Sequence, residues 1–188
     1  MVPPPFGVFR DDQAVDAPLL VVVTGMPASG KTTAADALAA RLRLPLVTKD
    51  GIKERLYDTL GSDQQEWSER LGRAAYELLF GFAGSVLAAG SGCVVEANFF
   101  RGMEEQFAAL PSHRTAQVHC RAPLATLVER YQGRSRHPGH HDEAKVSELG
   151  PRFESGIHDP LELPGELVEL DTTAPVDHEA LAERLRRL

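Results

Sequence analysis

The junction at Gly25 restricts the fold more than any other feature of the chain. Leu19-Leu-Val-Val-Val-Thr24 is an unbroken apolar, β-branched run of strand length. It lacks the polar alternation of a half-exposed strand, which is the pattern of a parallel strand covered on both faces. The run leads directly into Gly25-Met-Pro-Ala-Ser-Gly-Lys-Thr32, and from Lys31 to Leu42 the composition changes to Ala, Leu and Arg. Those are good helix formers, and Pro45 marks their stop. The octet fits G-x-x-x-x-G-K-[ST] at every fixed position. Its two glycines let the backbone turn tightly, so that successive N–H groups face inward as an anion nest, reinforced by the positive end of the following helix. Gly25, Ala28, Ser29, Gly30, Lys31, Thr32 and Thr33 are therefore the expected contacts to a nucleotide. Lys31 would reach the β- and γ-phosphates and the Thr32 hydroxyl would ligate Mg²⁺. Pro27 has no N–H and is expected where the loop needs none. A chance glycine-rich turn is the competing reading, and the flanking strand and helix argue against it.

Further along, strand-like and helix-like runs alternate. Strands are expected at Leu46–Thr48, Cys93–Ala97, Thr115–Arg121 and Glu166–Leu170. Helices are expected from Ile52 to Leu60, ended by Gly61, and from Gly102 to Leu110. Another runs from Leu124 to about Gln132, and a closing amphipathic one spans Asp177 to Leu188 with Asp177 as N-cap. A long helix from Glu66 to Ala89 carries Leu71, Ala75, Leu78, Phe82 and Val86 at spacings of three and four, with Gly81 and Gly84 as points of bending. Residues 137–164 are rich in Gly, Pro and His without a period, which predicts a lid or long loop. Alternation of this kind implies parallel strands joined by right-handed crossovers. The expected fold is a three-layer α/β domain with a central five-stranded parallel sheet.

With 188 residues, 43% hydrophobic and 25% charged, the chain has room for one ordinary globular domain. Residues 1–17 read as a flexible leader that Phe6 and Phe9 would pin, and 18–188 as the domain, with the lid at about 130–160. No apolar run is long enough to span a bilayer, and Met1-Val-Pro-Pro-Pro-Phe6 has neither a basic start nor an apolar core. Cys93 and Cys120 read as buried reduced thiols, which suits the cytoplasm. A net charge of −7 weighs against a nonspecific nucleic-acid or anionic-membrane surface. Against that acidic background Arg121, Arg130, Arg134 and Arg136, followed by His137, His140 and His141, form a local basic block, as if an anion were handled there.

Several of these segments together resemble the small P-loop kinases. That group includes chloramphenicol phosphotransferase, the kinase domain of polynucleotide kinase and zeta-toxin-like sugar-nucleotide kinases, built on an AAA-type ATP-binding domain. The resemblance is carried by Gly25 to Thr33, Thr48-Lys-Asp-Gly-Ile-Lys-Glu-Arg55, Val95-Glu-Ala-Asn98 and the arginines of Arg130 to Arg136. It implies ATP and Mg²⁺ as cofactors. It also implies Asp50 as the base that takes the acceptor's proton and Arg55 as a contact to the acceptor. Lid arginines, Arg130 packing on adenine and Arg134 or Arg136 on the transferring phosphoryl, would complete the site.

The residues themselves carry part of this. Asp50 follows a short strand at the carboxyl edge of the sheet, where open α/β folds bind ligands. The alternative is that it caps the next helix. Glu96 ends a buried strand at the same edge and would serve Mg²⁺ or an acceptor hydroxyl, unless it is paired with a base for structure. Asn98 has the same geometry. Arg130 and Arg134 are four apart and would share a helical face, functional or merely solvated. Lys53 reads as a surface charge. The run His137–Asp142 lacks zinc-site spacing and reads as a substrate-shaping or merely polar loop.

The expected activity is transfer of the γ-phosphate of ATP to a hydroxyl of a small molecule such as an antibiotic, nucleoside or sugar. Lys31, Asp50, Arg130 and Arg134 would be catalytic, and Asp50, Arg55, Glu96 and Asn98 would face the acceptor. A nucleotide-driven ATPase or switch, or a zeta-toxin-like sugar-nucleotide kinase, is the alternative. No nucleic-acid or membrane partner is expected, and the chain would be a monomer or homodimer.

Overall fold

Backbone pairing of the apolar runs fixes the centre of the molecule. The computed structural model describes residues 17–61, 65–134, 137 and 146–188. Among them β1 (Leu19–Gly25), β2 (Leu46–Thr48), β3 (Cys93–Glu96), β4 (Arg114–Arg121) and β5 (Glu166–Asp171) form one parallel sheet in the order β2-β3-β1-β4-β5. The most apolar run, β1, takes the central position, with Leu20, Val21, Val22 and Val23 all at 0% exposure. Its neighbours β3 and β4 lie on opposite sides, so the loop after β1 opens at the point where the strand order reverses, the binding crevice of open α/β sheets.

On one face α1 (Lys31–Leu42) and α7 (His178–Arg186) pack Leu38, Ala35, Leu181 and Leu185 against Val21, Val23, Val94 and Val118. On the other, α3 (Gln65–Ala88) and α4 (Glu104–Ala108) pack Leu79, Ala83, Leu87 and Phe107 against Leu20, Val22 and Val95. The fold is therefore the expected three-layer one with five parallel strands. A third cluster joins Met26 of the glycine-rich loop to Leu127 and Tyr131 of α5 (Leu124–Gly133) and to Leu149 of α6 (Leu149–Glu154). It seats those two helices over the loop.

Several local expectations change. The buried stripe of α3 continues from Leu71 and Ala75 through Leu79, Ala83 and Leu87, whereas Leu78 is 41% and Phe82 55% exposed. Strict steps of four track the sheet, and the neighbouring apolar pair Leu78-Leu79 made the phase ambiguous. The glycines at 81 and 84 do not interrupt that helix. Residues 137–164 are not without structure, because α6 lies among them with Leu149 buried; six residues are too few to show a period. Helix α2 (Lys49–Leu60) starts three residues earlier than expected. Its N-cap is Thr48, whose hydroxyl accepts from the Gly51 N–H at 3.1 Å, so Asp50 sits in the first turn and is not the cap. Asp177 does cap α7, accepting from the N–H groups of Glu179 and Ala180.

Both thiols are free and buried, and burial pushes Cys93 up to about 11 and Cys120 up to about 12. No helix among the described residues is long and apolar enough to cross a membrane. The leader 1–16, Arg136, His140, His141 and most of the His137–Asp142 run lie outside the described residues.

Candidate active site

The loop between β1 and α1 adopts the backbone its sequence demands. Gly25 and Gly30 hold φ of 135° and 84°, and Ala28 joins them at 66°, a left-handed conformation that costs energy for a residue with a Cβ and concentrates at functional loops. At Gly25 there is no alternative residue, since a Cβ there would lie 2.1 Å from the Cys120 carbonyl oxygen. Gly30 is the N-cap of α1 without a side-chain cap, and no acidic residue occupies the first turn. The free N–H groups and positive end of α1 therefore face an electrostatically open space suited to an anion.

Lys31 is 6% exposed and its Nζ donates to the Met26 carbonyl oxygen at 2.8 Å. Burial pulls its pKa down, and the Glu96 and Asp50 carboxylates pull in the other direction. A cavity of about 220 Å³ opens in front of the loop. It brings together Lys31, Thr32, Asp50, Glu96, Asn98, Arg130 and Arg134, residues from four separate segments of the chain. Two buried polar atoms near it, Ser29 Oγ and Asn98 Oδ1, lack a hydrogen-bond partner.

The acidic side of the cavity is built by the ends of β2 and β3. Glu96, at 4% exposure, closes β3. Asp50 receives an ion pair from Lys49, Nζ to Oδ1 3.3 Å, and Lys49 also lies over the Tyr76 ring of α3 at 5.6 Å from its centroid. Tyr76 in turn donates its O–H to the Asn98 carbonyl oxygen at 2.9 Å, and burial raises the phenol's pKa. This chain of contacts ties α2 and α3 to the segment after β3 and fixes where Asp50 and Asn98 stand.

The basic side departs from expectation in its mechanics. Arg130 is in α5, but the helix ends at Gly133 and Arg134 is extended, with φ −98° and ψ 139°. The two do not share a helical face, yet both reach the cavity. Arg134 packs on the Tyr131 ring at 4.2 Å from the centroid. Arg130 is held by Thr172, donating to its hydroxyl at 3.0 Å and to its carbonyl at 2.7 Å. Thr172 donates to the Ser29 carbonyl at 2.9 Å, so one hydroxyl joins the loop after β5, the glycine-rich loop and α5.

Beside the first cavity, and sharing Ala28, Gly30, Thr33 and Arg130 with it, a second of about 330 Å³ is bounded by Thr172, Ala174 and Val176. Thr172 went unnoticed in the sequence. Its one available signal was its place just after a strand at the ligand-binding edge.

Arg55 and Lys53 are placed differently from expectation. Arg55 is exposed on α2 and does not line the cavity. Lys53 is not a surface charge. It is 5% exposed and donates to Ser68 Oγ of α3 at 2.8 Å, joining α2 to α3. Among the described residues no group of three or more His, Cys, Asp or Glu is placed to hold a metal ion, which leaves single oxygen donors such as Thr32 and Glu96.

Residues 20–154 match the family described as AAA domain. In structure the chain is similar to a candidate kinase from Chloroflexus aurantiacus J-10-fl, with 38% identity over 91% of this chain and 98% of that one and a TM-score of 0.85. It shares its fold with a sugar kinase from Janibacter sp. HTCC2649 at 19% identity, 89% and 91% coverage and a TM-score of 0.59. The same holds for a gluconokinase from Sinorhizobium meliloti 1021 at 18% identity, 92% and 93% coverage and a TM-score of 0.54. No curated protein matches the chain in sequence.

Proposed function

This chain belongs to the AAA domain family and is a small P-loop kinase, and on that premise we propose that it transfers the γ-phosphate of Mg·ATP to a hydroxyl of a small molecule, with Asp50 as the base. The observation that carries the reading is the convergence, in one cavity, of the phosphate-gripping loop, two carboxylates and two arginines. The nest of loop N–H groups around Lys31 suits triphosphate oxygens. The hard oxygen donors Thr32 and Glu96 suit Mg²⁺, whose bound charge would neutralise the phosphates when present.

In this mechanism the loop amides and Lys31 would hold the β- and γ-phosphates, and the neighbouring cavity bounded by Arg130 and Thr172 would take the adenine. Asp50, oriented by Lys49, accepts a hydrogen bond from the acceptor hydroxyl and takes its proton late, as the oxygen closes on phosphorus. Asn98 and Glu96 orient further polar groups of the acceptor, and Arg134 stabilises charge on the transferring phosphoryl. Arg55, exposed and away from the cavity, takes no part. Hydroxyl-bearing sugars, nucleosides and antibiotics are the acceptor classes to test.

A screen of such compounds with Mg·ATP, followed by mass spectrometry, should find at least one that gains a single phosphoryl group. Hydrolysis of ATP at an unchanged rate with every acceptor class would replace transfer by an ATPase or switch activity. Because Thr172 holds Arg130 against the loop, Thr172→Val should weaken Mg·ATP binding about fivefold to tenfold, the loss of one or two hydrogen bonds. Calorimetry measures it, and unchanged affinity would separate Arg130 from nucleotide binding.

A further inference from the structure

We propose that the outer face of the second half of α3 is an interface with a second copy of this chain, in which the two α3 helices pack antiparallel about a two-fold axis. The proposal goes beyond the phosphotransfer reading and does not depend on it.

The sequence of α3 changes character at Leu78. Over the first half the outer side is charged, with Glu66, Glu69, Arg70, Arg73 and Glu77 all exposed. From Leu78 to Ala88 no residue is charged, although the core takes this stretch from one side only, through Leu79, Ala83 and Leu87. A helix on a protein surface ordinarily carries polar side chains away from the core, and one that is apolar all round is covered. The uncovered side presents Leu78 at 41% and Phe82 at 55% exposure, one turn apart. Ala74, Gly81, Ser85 and Ala88, all exposed, lie beside them. The Ser85 hydroxyl donates to the Gly81 carbonyl at 2.9 Å, so its polar group is engaged within the helix. A Cβ at Gly81 would meet nothing within 4 Å.

Shape and charge both select α3 itself as the occupant. Two projecting side chains one turn apart complement themselves when the helices run antiparallel. An axis midway between them sets Leu78 of each copy beside Phe82 of the other, and the small residues at 81, 85 and 88 let the backbones approach. The same register brings Arg70 opposite Gly90, so that Arg70 and Arg73 of one copy reach the last turn of the other. That end needs them, because α3 has no basic residue in its last turn and its carbonyl dipoles are uncompensated there. A parallel pair would instead set Arg73 against Arg73 and Glu77 against Glu77. The contact, about 30 Å long and one helix wide, falls at the small end of specific interfaces, which makes the dimer reversible.

Sedimentation velocity on the full chain, loaded from low-micromolar to near-millimolar concentration, should show a reversible monomer–dimer equilibrium. Phe82→Glu and Leu78→Glu should each raise the dimer Kd about tenfold or more, since each presses a carboxylate against apolar side chains of the other copy. Both positions are exposed in the single chain, so its thermal unfolding should be unchanged. Orientation is read by cross-linking. Cys93 and Cys120 are buried, which leaves a cysteine introduced by Gly81→Cys or Ala88→Cys as the reactive thiol. A short bismaleimide should join two copies through position 81, close to the axis. It should fail at position 88, where the two thiols lie about 24 Å apart along an antiparallel pair. A monomer at every concentration, a dimer indifferent to both glutamate variants, or cross-linking at 88 as efficient as at 81 would each overturn the proposal.

Discussion

Lys31→Ala should reduce ATP-dependent phosphotransfer by about three orders of magnitude, the scale of removing a preorganised charge from a transferring phosphoryl group. The size follows from its setting. The ammonium is 6% exposed, anchored by the Met26 carbonyl at 2.8 Å, and faces the cavity into which the loop amides open. Alanine removes the charge and also takes one of the two donors from that carbonyl, which keeps the Ser29 N–H at 3.2 Å. Because burial lowers the Lys31 pKa in the free protein, nucleotide binding should also show a proton linkage of definite sign. A bound triphosphate favours the charged amine and raises its pKa, so binding takes up a proton wherever the free amine is partly neutral. Affinity for Mg·ATP should then fall as pH rises into the alkaline range, and the fall should vanish in Lys31→Ala. Calorimetry in buffers of different ionisation enthalpy reads the proton uptake directly. Undiminished turnover in the variant would remove Lys31 from the mechanism, and equal pH dependence in both proteins would remove it from the linkage.

What was legible in the sequence divides along sequence distance. The β1 run, the glycine spacing and the start of α1 are contiguous, and each local choice agrees with the next, so loop and fold could be read together. The sheet followed from alternation alone. Contacts between distant segments left no such trace. Thr172 reaches Ser29 across 143 positions, and nothing near either residue announces the other. Lys53 looked like any helical lysine because its partner, Ser68, belongs to a different helix. Arg130 and Arg134 were paired by helical spacing, whereas the cavity collects them for another reason: α5 ends between them and Tyr131 holds the second. The phase of α3 failed where two neighbouring leucines both looked apolar, and only the sheet beneath decides between them.

Asp50→Asn should lower kcat for phosphotransfer by about two to four orders of magnitude, the usual contribution of a positioned general base, and leave the affinity for Mg·ATP within about twofold. The split follows from position. Asp50 stands on the carboxylate side of the cavity, in the first turn of α2, where the proposed acceptor would lie, whereas Lys31 belongs to the glycine-rich loop that Thr172 braces. Asparagine is the sharpest substitution because it preserves shape and removes only the charge and basicity. Its cost to stability should be modest, since the Lys49 ammonium keeps the Tyr76 ring and the amide oxygen as neighbours. Thermal unfolding of the variant checks that the loss of rate is not a loss of fold. Lys49→Met gives a second reading of the same geometry. If Lys49 acts by orienting the Asp50 carboxylate, its substitution should lower kcat in the wild-type background and add little in the Asp50→Asn background, the non-additivity expected of residues acting as one unit. Full additivity would give Lys49 a role of its own, and wild-type kcat in Asp50→Asn would hand the proton to another group, with Glu96 the next carboxylate in the cavity.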